Sequence, residues 1–306
     1  MLRYSLKRLL AALPTLFVLM TLAFFMMRVA PGGPFDTEKT LPPEVQANLD
    51  KKYHLDEPLL KQYGRYLFEL AKGDFGPSFQ YKDYSVNELI ATGFPVSLRL
   101  GLSAIFLAFF IGSALGTIAA LRQNSFTDYS VMTAAMTGIS VPNFVMAPIL
   151  ILVFAIFLKW LPAGGWNSGA FKNTILPIVS LALPQIAYIS RLTRASMIEV
   201  LRGNPIRTAR AKGLPERLVI LRHALRPALL PVISYLGPAT AAIITGSVVV
   251  EQIFGIPGLG RYFVQGALNR DYTLVMGVVV FYGALIILFN FIVDLVYAML
   301  DPKIRY

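Results

Sequence analysis

The sequence predicts an all-α membrane protein with six transmembrane helices and with both termini in the cytoplasm. Of its 306 residues, 56% are apolar and only 15% are charged, and the mean hydropathy is +0.60. Soluble domains carry roughly a quarter charged residues, so this chain cannot cover its surface with polar groups. Six apolar runs that lack Asp, Glu, Lys and Arg, and an unequal distribution of basic residues, support the same fold class.

The six apolar runs are each close to the length of one transmembrane helix. They cover residues 9–27, 100–121, 129–158, 173–190, 227–250 and 272–293. The first would measure about 28 Å as a helix, near the thickness of the hydrocarbon layer. The third is long enough to bend at Pro142 and Pro148, and the fourth contains Pro177 and Pro184. An even number of spans places both termini on the same side.

The first run also has features of a secretory signal peptide, because Arg3, Lys7 and Arg8 precede it. The apolar region of a signal peptide has about 7–15 residues and ends in small residues at the cleavage site. This run is longer, and Arg28 stands where a small residue is required. We therefore expect a retained transmembrane anchor.

Basic residues are divided unequally between the two sides of the predicted membrane. With a cytoplasmic N-terminus, the inside segments hold 15 basic and five acidic residues, whereas the outside segments hold 13 and 12. The net charge of +11 then divides into +10 inside and +1 outside. Nine of the inside basic residues lie between positions 191 and 226. Cytoplasmic loops carry such an excess of Lys and Arg, which gives the predicted orientation.

The first polar segment, residues 31–95, is predicted to lie outside and is too long for a simple connection. The run Asp56-Glu57-Pro58 favours a helix start, and apolar residues at helical spacing follow it as far as Gly73. A shorter helix can open at Pro42-Pro43-Glu44. The segment is either a helical cap on the spans or a docking surface for an extracytoplasmic partner, and the two roles are compatible.

The second polar segment, residues 191–226, predicts a short helix with defined ends. Asn204 is a good N-cap, Pro205 suits the first helical position, and Gly213 suits the left-handed residue after a helix end. A second helix from Pro215 then leads to the fifth span. A helix of about eight residues is marginal alone in water, so it either touches anionic headgroups or plugs into a cytoplasmic protein. The small residues that permit close approach by such a partner are Thr208, Ala209, Ala211 and Gly213.

The sequence lacks the residue patterns of catalytic and metal sites. It has no GxxxxGK[ST] loop and no cysteine, and its two histidines, His54 and His223, fall on opposite sides of the membrane. The glycine-rich run 255–260 lacks the lysine and is predicted to be a tight turn. The basic residues are not gathered on a soluble module, which argues against nucleic acid. The spans carry no ionisable residue in their interiors, which disfavours the competing class, a carrier or channel acting alone.

Residues 207–226 resemble a signature of the inner-membrane permease subunits of binding-protein-dependent ABC importers. The general signature reads E-A-A, three residues, G, nine residues, then I-x-L-P. Gly213 occupies the glycine position, whereas Arg207, His223 and Arg226 replace the glutamate, the isoleucine and the proline. The peptide-transporter branch has R-T-A-R-A-K-G-L here, which residues 207–214 match in full. The chain thus resembles the B-type subunit of oligopeptide and dipeptide permeases.

Further matches to this branch extend over nearly the whole chain. They are Gly73-Asp74-Phe75-Gly76 with Ser78, residues 247–260, Arg270-Asp271-Tyr272, Asn290, Asp294, Tyr297 and residues 301–305. In the outer segment, Leu41-Pro42-Pro43-Glu44 and Lys52-Tyr53-His54-Leu55 are closer to oligopeptide than to dipeptide permeases. We therefore expect oligopeptides as the solute, with dipeptides, nickel and glutathione as alternatives.

The resemblance implies a fold and a set of partners. The fold would be the type-1 permease fold of ABC importers, with residues 1–30 as tail and first span, 31–95 as an outer helical segment, 96–293 as the transmembrane core and 294–306 as a cytoplasmic tail. The partners would be a second homologous permease subunit, two ATPase subunits and an extracytoplasmic peptide-binding protein at a bacterial cytoplasmic membrane. ATP and Mg²⁺ would bind to the ATPases, and this chain would bind no cofactor and catalyse no reaction.

The same resemblance implies that the short helix is a coupling helix seated in a cleft of one ATPase. Its residues would be Arg207, Thr208, Ala209, Arg210, Ala211, Lys212, Gly213 and Leu214. ATP-driven closure of the ATPases would push it as a rigid lever and switch the bundle between inward and outward access, and Gly213 would set the angle of the lever. Exposed ion pairs contribute only about 0–1 kcal/mol each, so we expect shape to matter more than the charges of this helix.

Overall fold

The computed structural model describes residues 2–29, 33 and 42–300 of the chain. Within these residues the regular secondary structure is helical, apart from one isolated β-bridge between Pro77 and Ser85. The α-helices are α1 (Leu2–Val29), α2 (Pro43–Lys52), α3 (Leu59–Ala71), α4 (Val86–Leu121), α5 (Phe126–Ser140), α6 (Asn143–Leu150), α7 (Phe171–Leu201), α8 (Asn204–Ala211), α9 (Glu216–Leu218), α10 (Leu225–Ala228), α11 (Leu230–Gly246), α12 (Val248–Phe254), α13 (Leu259–Leu268) and α14 (Tyr272–Leu300). Shorter helical pieces are the π-helical stretches Ile151–Phe157 and Val219–Ala224 and the 3-10 turn Asn167–Gly169. The predicted all-α class is confirmed.

Four of these helices, α1, α4, α7 and α14, are long and apolar enough to cross a membrane. Two bent pairs raise the number to six if each pair counts as one span. In one pair, α5 meets α6 and its π-helical continuation at a bend of 106°. Pro142 lies at this bend, as the sequence predicted, and holds the preceding Val141 in an extended conformation. In the other pair, the helical stretch 216–228 meets α11 at a bend of 47°.

Helix α4 begins well before the apolar run that predicted it, at Val86 and not near residue 100. A capping box fixes this start, because the Ser85 side chain accepts from the Glu88 N–H while the Ser85 N–H donates to the Glu88 carboxylate. Arg99 immediately precedes the apolar run in the sequence. The helix includes Arg99 without a break, and the Arg99 guanidinium donates to the Gly169 carbonyl at 3.0 Å.

Helix α7 likewise continues eleven residues beyond the predicted end of the fourth span, to Leu201. It passes Pro177 and Pro184 as one helix. Arg194, which lies beyond the apolar run, is held by an ion pair with Asp128. The first third of the second polar segment, residues 191–201, is therefore part of α7. Helix α14 similarly extends past residue 293 to Leu300.

Close packing between α4 and α7 forms the centre of the fold. A Cβ atom on Gly112 would lie 2.8 Å from Ile189, and one on Gly116 would collide with the carbonyl oxygen of Ser190. These two glycines therefore let the helix axes approach closely. Gly246 is surrounded by open space, because a Cβ atom there would meet nothing within 4 Å. It plays no part in this packing.

The helices predicted within the first polar segment are present. Helices α2 and α3 begin where the prolines at 43 and 58 indicated, and α1 packs on α14 through Phe24, which is buried against Tyr272 and Met276. The glycine-rich run 255–260 is a turn only as far as Gly258, because its last two residues already belong to α13. The family matches at position 41 and at positions 301–305 lie outside the described residues.

Candidate functional site

The short helix predicted between positions 205 and 212 is present as α8, Asn204–Ala211. Its N-cap is Gly203 and not Asn204, because the Gly203 carbonyl accepts the first helical hydrogen bond from the Arg207 N–H at 3.3 Å. Gly203 has the extended backbone of an N-cap, with φ −73° and ψ 156°. The predicted cap was therefore one residue too late, and Pro205 still lies in the first turn.

The end of α8 is fixed by a backbone motif centred on Gly213. The Gly213 N–H donates to the Arg210 carbonyl at 2.9 Å, and the Leu214 N–H donates to the Ala209 carbonyl at 3.3 Å. This pair of bonds is the Schellman motif, which requires a left-handed residue at the position of Gly213. Gly213 has φ +71°, as predicted, and there is open space around a side chain at this position. The need for glycine is therefore purely conformational.

One face of α8 is anchored to the rest of the chain. Ile206 and Ala209, three positions apart on the helix, are fully or almost fully buried. They enter a hydrophobic cluster with Ala120 at the end of α4 and Met197 near the end of α7. The other members of this cluster are Val219, Ala224 and Ala228 on the helical stretch that follows.

The opposite face of α8 is exposed. Of the eight residues proposed for the coupling site, the exposed ones are Arg207, Thr208, Arg210, Ala211, Lys212 and Gly213. Leu214 is half-buried and packs against the anchoring cluster. Ala209, which the sequence suggested as part of a small contact surface, instead points towards the chain's own core. The surface open to a partner therefore consists of Arg207, Thr208, Ala211 and the C-terminal turn.

An ion pair braces the turn between α8 and α9. The Arg210 guanidinium contacts the Glu216 carboxylate through two bonds, with Nε at 3.1 Å from Oε2 and Nη2 at 2.5 Å from Oε1. This hydrogen bonding to Glu216 raises the pKa of Arg210 above its ordinary value. About half of each side chain is exposed, so the contribution to stability is small. The bidentate geometry instead fixes the orientation of Arg210 within its own chain.

A second and more buried ion pair holds α7, the helix from which α8 extends. Arg194 of α7 binds Asp128 of α5 through two bonds, Nε to Oδ1 at 2.6 Å and Nη2 to Oδ2 at 2.7 Å. Asp128 is almost completely buried and also accepts from the Asn124 N–H. The Arg202 guanidinium additionally donates to Gln123 at 3.3 Å. The turn between α4 and α5 is thus clamped to α7 close to the base of α8.

The contacts around α8 fix its position relative to α4 and α7. The described residues include no group of three His, Cys, Asp or Glu side chains placed to hold a metal ion. What the site offers is a rigid projection: a capped short helix, anchored on one face and exposed on the other, joined to two long helices.

Two buried carboxylates, Glu251 and Asp271, each accept several hydrogen bonds, at least one of them from a distant part of the chain. In the sequence they are recognisable only as members of family motifs. Glu251 accepts from Ser97 at 2.6 Å, from Ser247 at 2.5 Å and from the Arg261 N–H at 3.2 Å. Asp271 accepts from the Ser78 hydroxyl and from the backbone N–H groups of Phe79 and Leu274. No spacing in the sequence reveals these centres, because Ser97 and Ser78 lie 154 and 193 positions away from Glu251 and Asp271. Apart from the family motifs, no signal could have found them.

Comparison with protein families gives two matches that together cover the chain apart from residues 102–111. Residues 112–306 match the family described as binding-protein-dependent transport system inner membrane component. Residues 1–101 match the N-terminal model of the same type of membrane component.

Curated relatives match over the full length. The oligopeptide transport system permease protein OppB of Escherichia coli K12 is 63% identical, and that of Haemophilus influenzae is 60% identical, each over 100% of both chains. The dipeptide transport system permease protein DppB of Bacillus subtilis is 49% identical over 100% of this chain and 98% of its own length.

Solved structures share the fold at low identity. An inward-facing structure of the MetNI methionine ABC transporter has a TM-score of 0.60 at 19% identity, covering 70% of this chain and 96% of its own. A crystal structure of an amino acid ABC transporter with histidines has a TM-score of 0.53 at 18% identity, covering 70% and 94%. With family models matching both parts of the sequence and full-length relatives at 60% identity or more, the chain belongs to the family of inner-membrane components of binding-protein-dependent transport systems.

Proposed function

We propose that this chain is one of two permease subunits that form the pathway of an ATP-powered importer of oligopeptides. The observation that carries the proposal is α8, a short helix anchored through Ile206 and Ala209 and exposed on its other face. The family membership and the full-length relatives named as oligopeptide permeases support the same role. The chain itself is a non-catalytic subunit in this proposal.

The proposed topology has six spans, with both termini in the cytoplasm of a bacterial cell. Each of the two bent helix pairs then counts as one span. Because the basic residues concentrate between positions 191 and 226, the positive-inside rule puts α8 on the cytoplasmic side. The outer segment with α2 and α3 lies on the opposite side, where a binding protein delivers its cargo.

In this proposal α8 acts as a lever between an ATPase and the bundle. A partner pressing on the exposed face moves Ile206 and Ala209, and these push on Met197 of α7 and Ala120 of α4. The ion pair between Asp128 and Arg194 keeps α5 and α7 together during this motion. Force applied at one exposed turn therefore reaches three spans at once.

The partners are a second homologous permease subunit, two ATPase subunits and an extracytoplasmic peptide-binding protein. ATP and Mg²⁺ bind to the ATPases, and this chain holds no cofactor of its own. Large apolar side chains remain exposed along α1 and α4, among them Phe17, Leu22, Phe106 and Phe110. Such surfaces need lipid or a partner helix to cover them, which suits a subunit that pairs within a membrane.

Oligopeptides are the proposed cargo, and dipeptides are the second candidate. The relatives at 60–63% identity carry oligopeptide in their names, while the dipeptide permease of Bacillus subtilis is 49% identical. The greater likeness to the former group favours longer peptides.

Reconstitution in liposomes tests this function. The complete complex should take up a labelled tetrapeptide only when its binding protein, its ATPases and ATP are all present. Parallel assays with a labelled dipeptide rank the two cargo classes. Uptake by this chain alone, driven by an ion gradient without ATP, would refute the proposal in favour of a secondary carrier.

A further inference from the structure

A cavity of about 270 Å³ lies in the outer part of the molecule, between α1, α3 and α14. Its lining combines aromatic side chains with charged and polar ones, and it is partly open to the surface. The face of α3 that borders it presents Gln62, Arg65, Tyr66 and Glu69, which follow one another at the spacing of one helical face. Arg28, near the end of α1, is also part of the cavity lining.

Among the described residues, three polar atoms of the cavity lining are buried without a hydrogen-bond partner. They are Arg28 Nε, Tyr66 Oη and Gln62 Oε1. Within the described residues, Arg28 has no carboxylate within 4.0 Å, whereas Arg65 in the same lining binds Glu57 at 2.7 Å. A buried donor, and above all a buried charge, is costly unless a partner satisfies it. A ligand that satisfied these three atoms would therefore be stabilised in the cavity.

The cavity lining carries both hydrogen-bond donors and a carboxylate. The guanidinium of Arg28 lies 5.3 Å from the centroid of the Phe24 ring, and the Tyr66 ring lies 5.4 Å from the same ring, so both side chains with unpaired donors pack against Phe24. Burial raises the pKa of Tyr66, which keeps its hydroxyl protonated as a donor. Glu69 follows Tyr66 by one helical turn and has no basic partner among the described residues. The cavity lining thus offers donors for an oxyanion and a carboxylate for a cation.

We propose that this cavity binds the headgroup of a phospholipid that carries both a phosphate and an ammonium group. The phosphate accepts hydrogen bonds from Arg28 and Tyr66, because a guanidinium fork and a hydroxyl match phosphate oxygens. The ammonium faces Glu69 and Gln62 Oε1. A lipid is favoured over a free oxyanion because Arg28 ends an apolar helix whose neighbouring side chains, Met26 and Val29, are exposed to the surroundings.

The bound lipid can be measured on the purified transporter complex by native mass spectrometry and by quantitative lipid extraction. The complex is reconstituted in nanodiscs with equal parts of phosphatidylethanolamine and phosphatidylglycerol and is then returned to detergent. The wild type should retain phosphatidylethanolamine. Arg28→Gln should weaken retention about tenfold or more, as expected for the loss of a charge-assisted hydrogen bond, and Tyr66→Phe should weaken it less. Lys82→Gln, which removes an exposed outer charge, is the matched control.

Each result decides the question. Equal retention by the wild type, Arg28→Gln and Lys82→Gln overturns the site. If the delipidated wild type retains no lipid but inorganic phosphate raises its unfolding midpoint, and does so less in Arg28→Gln, the lipid assignment is overturned in favour of a free oxyanion. Glu69→Gln should remove the preference for phosphatidylethanolamine. Should Arg28→Gln fail to assemble, Arg28→Lys and Tyr66→Phe provide the same comparison. All these measurements are independent of peptide transport.

Discussion

Ser78 donates a hydrogen bond to the carboxylate of Asp271, and so joins two segments that lie 193 positions apart in the chain. Both side chains are buried. The same carboxylate accepts from the backbone N–H groups of Phe79 at 3.1 Å, Gln80 at 3.2 Å and Leu274 at 3.1 Å. Asp271 therefore ties the outer loop before α4 to the N-terminal turn of α14.

Replacing Asp271 should destabilise this outer region strongly. Asp271→Ala leaves several buried donors without an acceptor, and each unsatisfied donor costs about 1–3 kcal/mol, so we expect a loss of about 3 kcal/mol. Thermal unfolding of the purified complex in detergent measures the change. The matched control is Asp83→Asn, at an exposed left-handed position that Asn tolerates. Equal midpoints for the two variants would contradict the role assigned to Asp271.

Gly213 should tolerate only residues that accept a left-handed backbone. Its φ of +71° disfavours other residues by about 1–2 kcal/mol, while the space around it is open. Gly213→Val should abolish peptide uptake without preventing membrane insertion, and Gly213→Asn should retain much of the uptake. The control is Gly64→Val, on a helix of the outer segment with equal open space. Normal uptake by an inserted Gly213→Val subunit would exclude a need for this turn.

The ion pair between Asp128 and Arg194 should show strong energetic coupling. Its bonds measure 2.6 and 2.7 Å, and Asp128 is almost completely buried. Removing one partner of a buried pair leaves the other charge uncompensated at a cost of about 3–5 kcal/mol, and the partial exposure of Arg194 puts our expectation at the lower end. A double-mutant cycle with Asp128→Asn and Arg194→Gln, read by unfolding free energy, gives the coupling. Additive single effects would show that the two residues act independently.

Glu251 and its neighbours should be intolerant of small changes. The Ser97 hydroxyl donates to Glu251 at 2.6 Å and accepts from the Leu259 N–H at 2.9 Å. Ser97→Ala therefore removes both bonds, and we expect a loss of about 2 kcal/mol. The control is Ser140→Ala, whose hydroxyl bonds only to its own helix. An unfolding midpoint for Ser97→Ala equal to that of the control would contradict the account.

Gly258 offers a second test of the packing around the buried Glu251 carboxylate. A Cβ atom at Gly258 would collide with the Glu251 carboxylate, so Gly258→Ala should displace the turn that precedes α13. Gly246→Ala is the matched control, since its surroundings are open. Peptide uptake should fall in the first variant and persist in the second. Wild-type uptake by Gly258→Ala would show that this turn adapts freely.

Much of the fold could be predicted from the sequence because apolar runs and helix signals are local. The turn at Gly213, the bend at Pro142 and the helix after Pro58 all follow from backbone preferences of single residues. Helix ends are predicted less well. Arg99 precedes the apolar run of α4, and Arg191 follows that of α7, so the sequence places the helix boundaries there. Both helices continue beyond these boundaries, and the structure supplies partners for Arg99 and for Arg194 in the added turns.

The sequence predicted the position of the candidate site, but not which of its side chains face a partner and which face the chain's own core. The family motif predicts residues 207–214 as one contact surface, whereas Ala209 is turned inward because it lies three positions from Ile206 on the anchored face. Arg210, for which the motif suggests a partner protein, instead binds Glu216 of its own chain. Contacts between distant segments, such as Ser78 with Asp271, depend on tertiary packing, and no spacing within one sequence encodes them.

The central claim is that the exposed face of α8 contacts an ATPase. The sequence contains no cysteine, so Thr208→Cys introduces a single thiol on that face, and Asp56→Cys introduces one on the exposed outer segment. In membranes containing the complete transporter, Thr208→Cys should crosslink to an ATPase subunit, with a yield that changes when ATP is added. Asp56→Cys should crosslink to the binding protein alone. Crosslinking of Thr208→Cys to the binding protein, or its labelling by a membrane-impermeant thiol reagent from outside intact cells, would contradict the account.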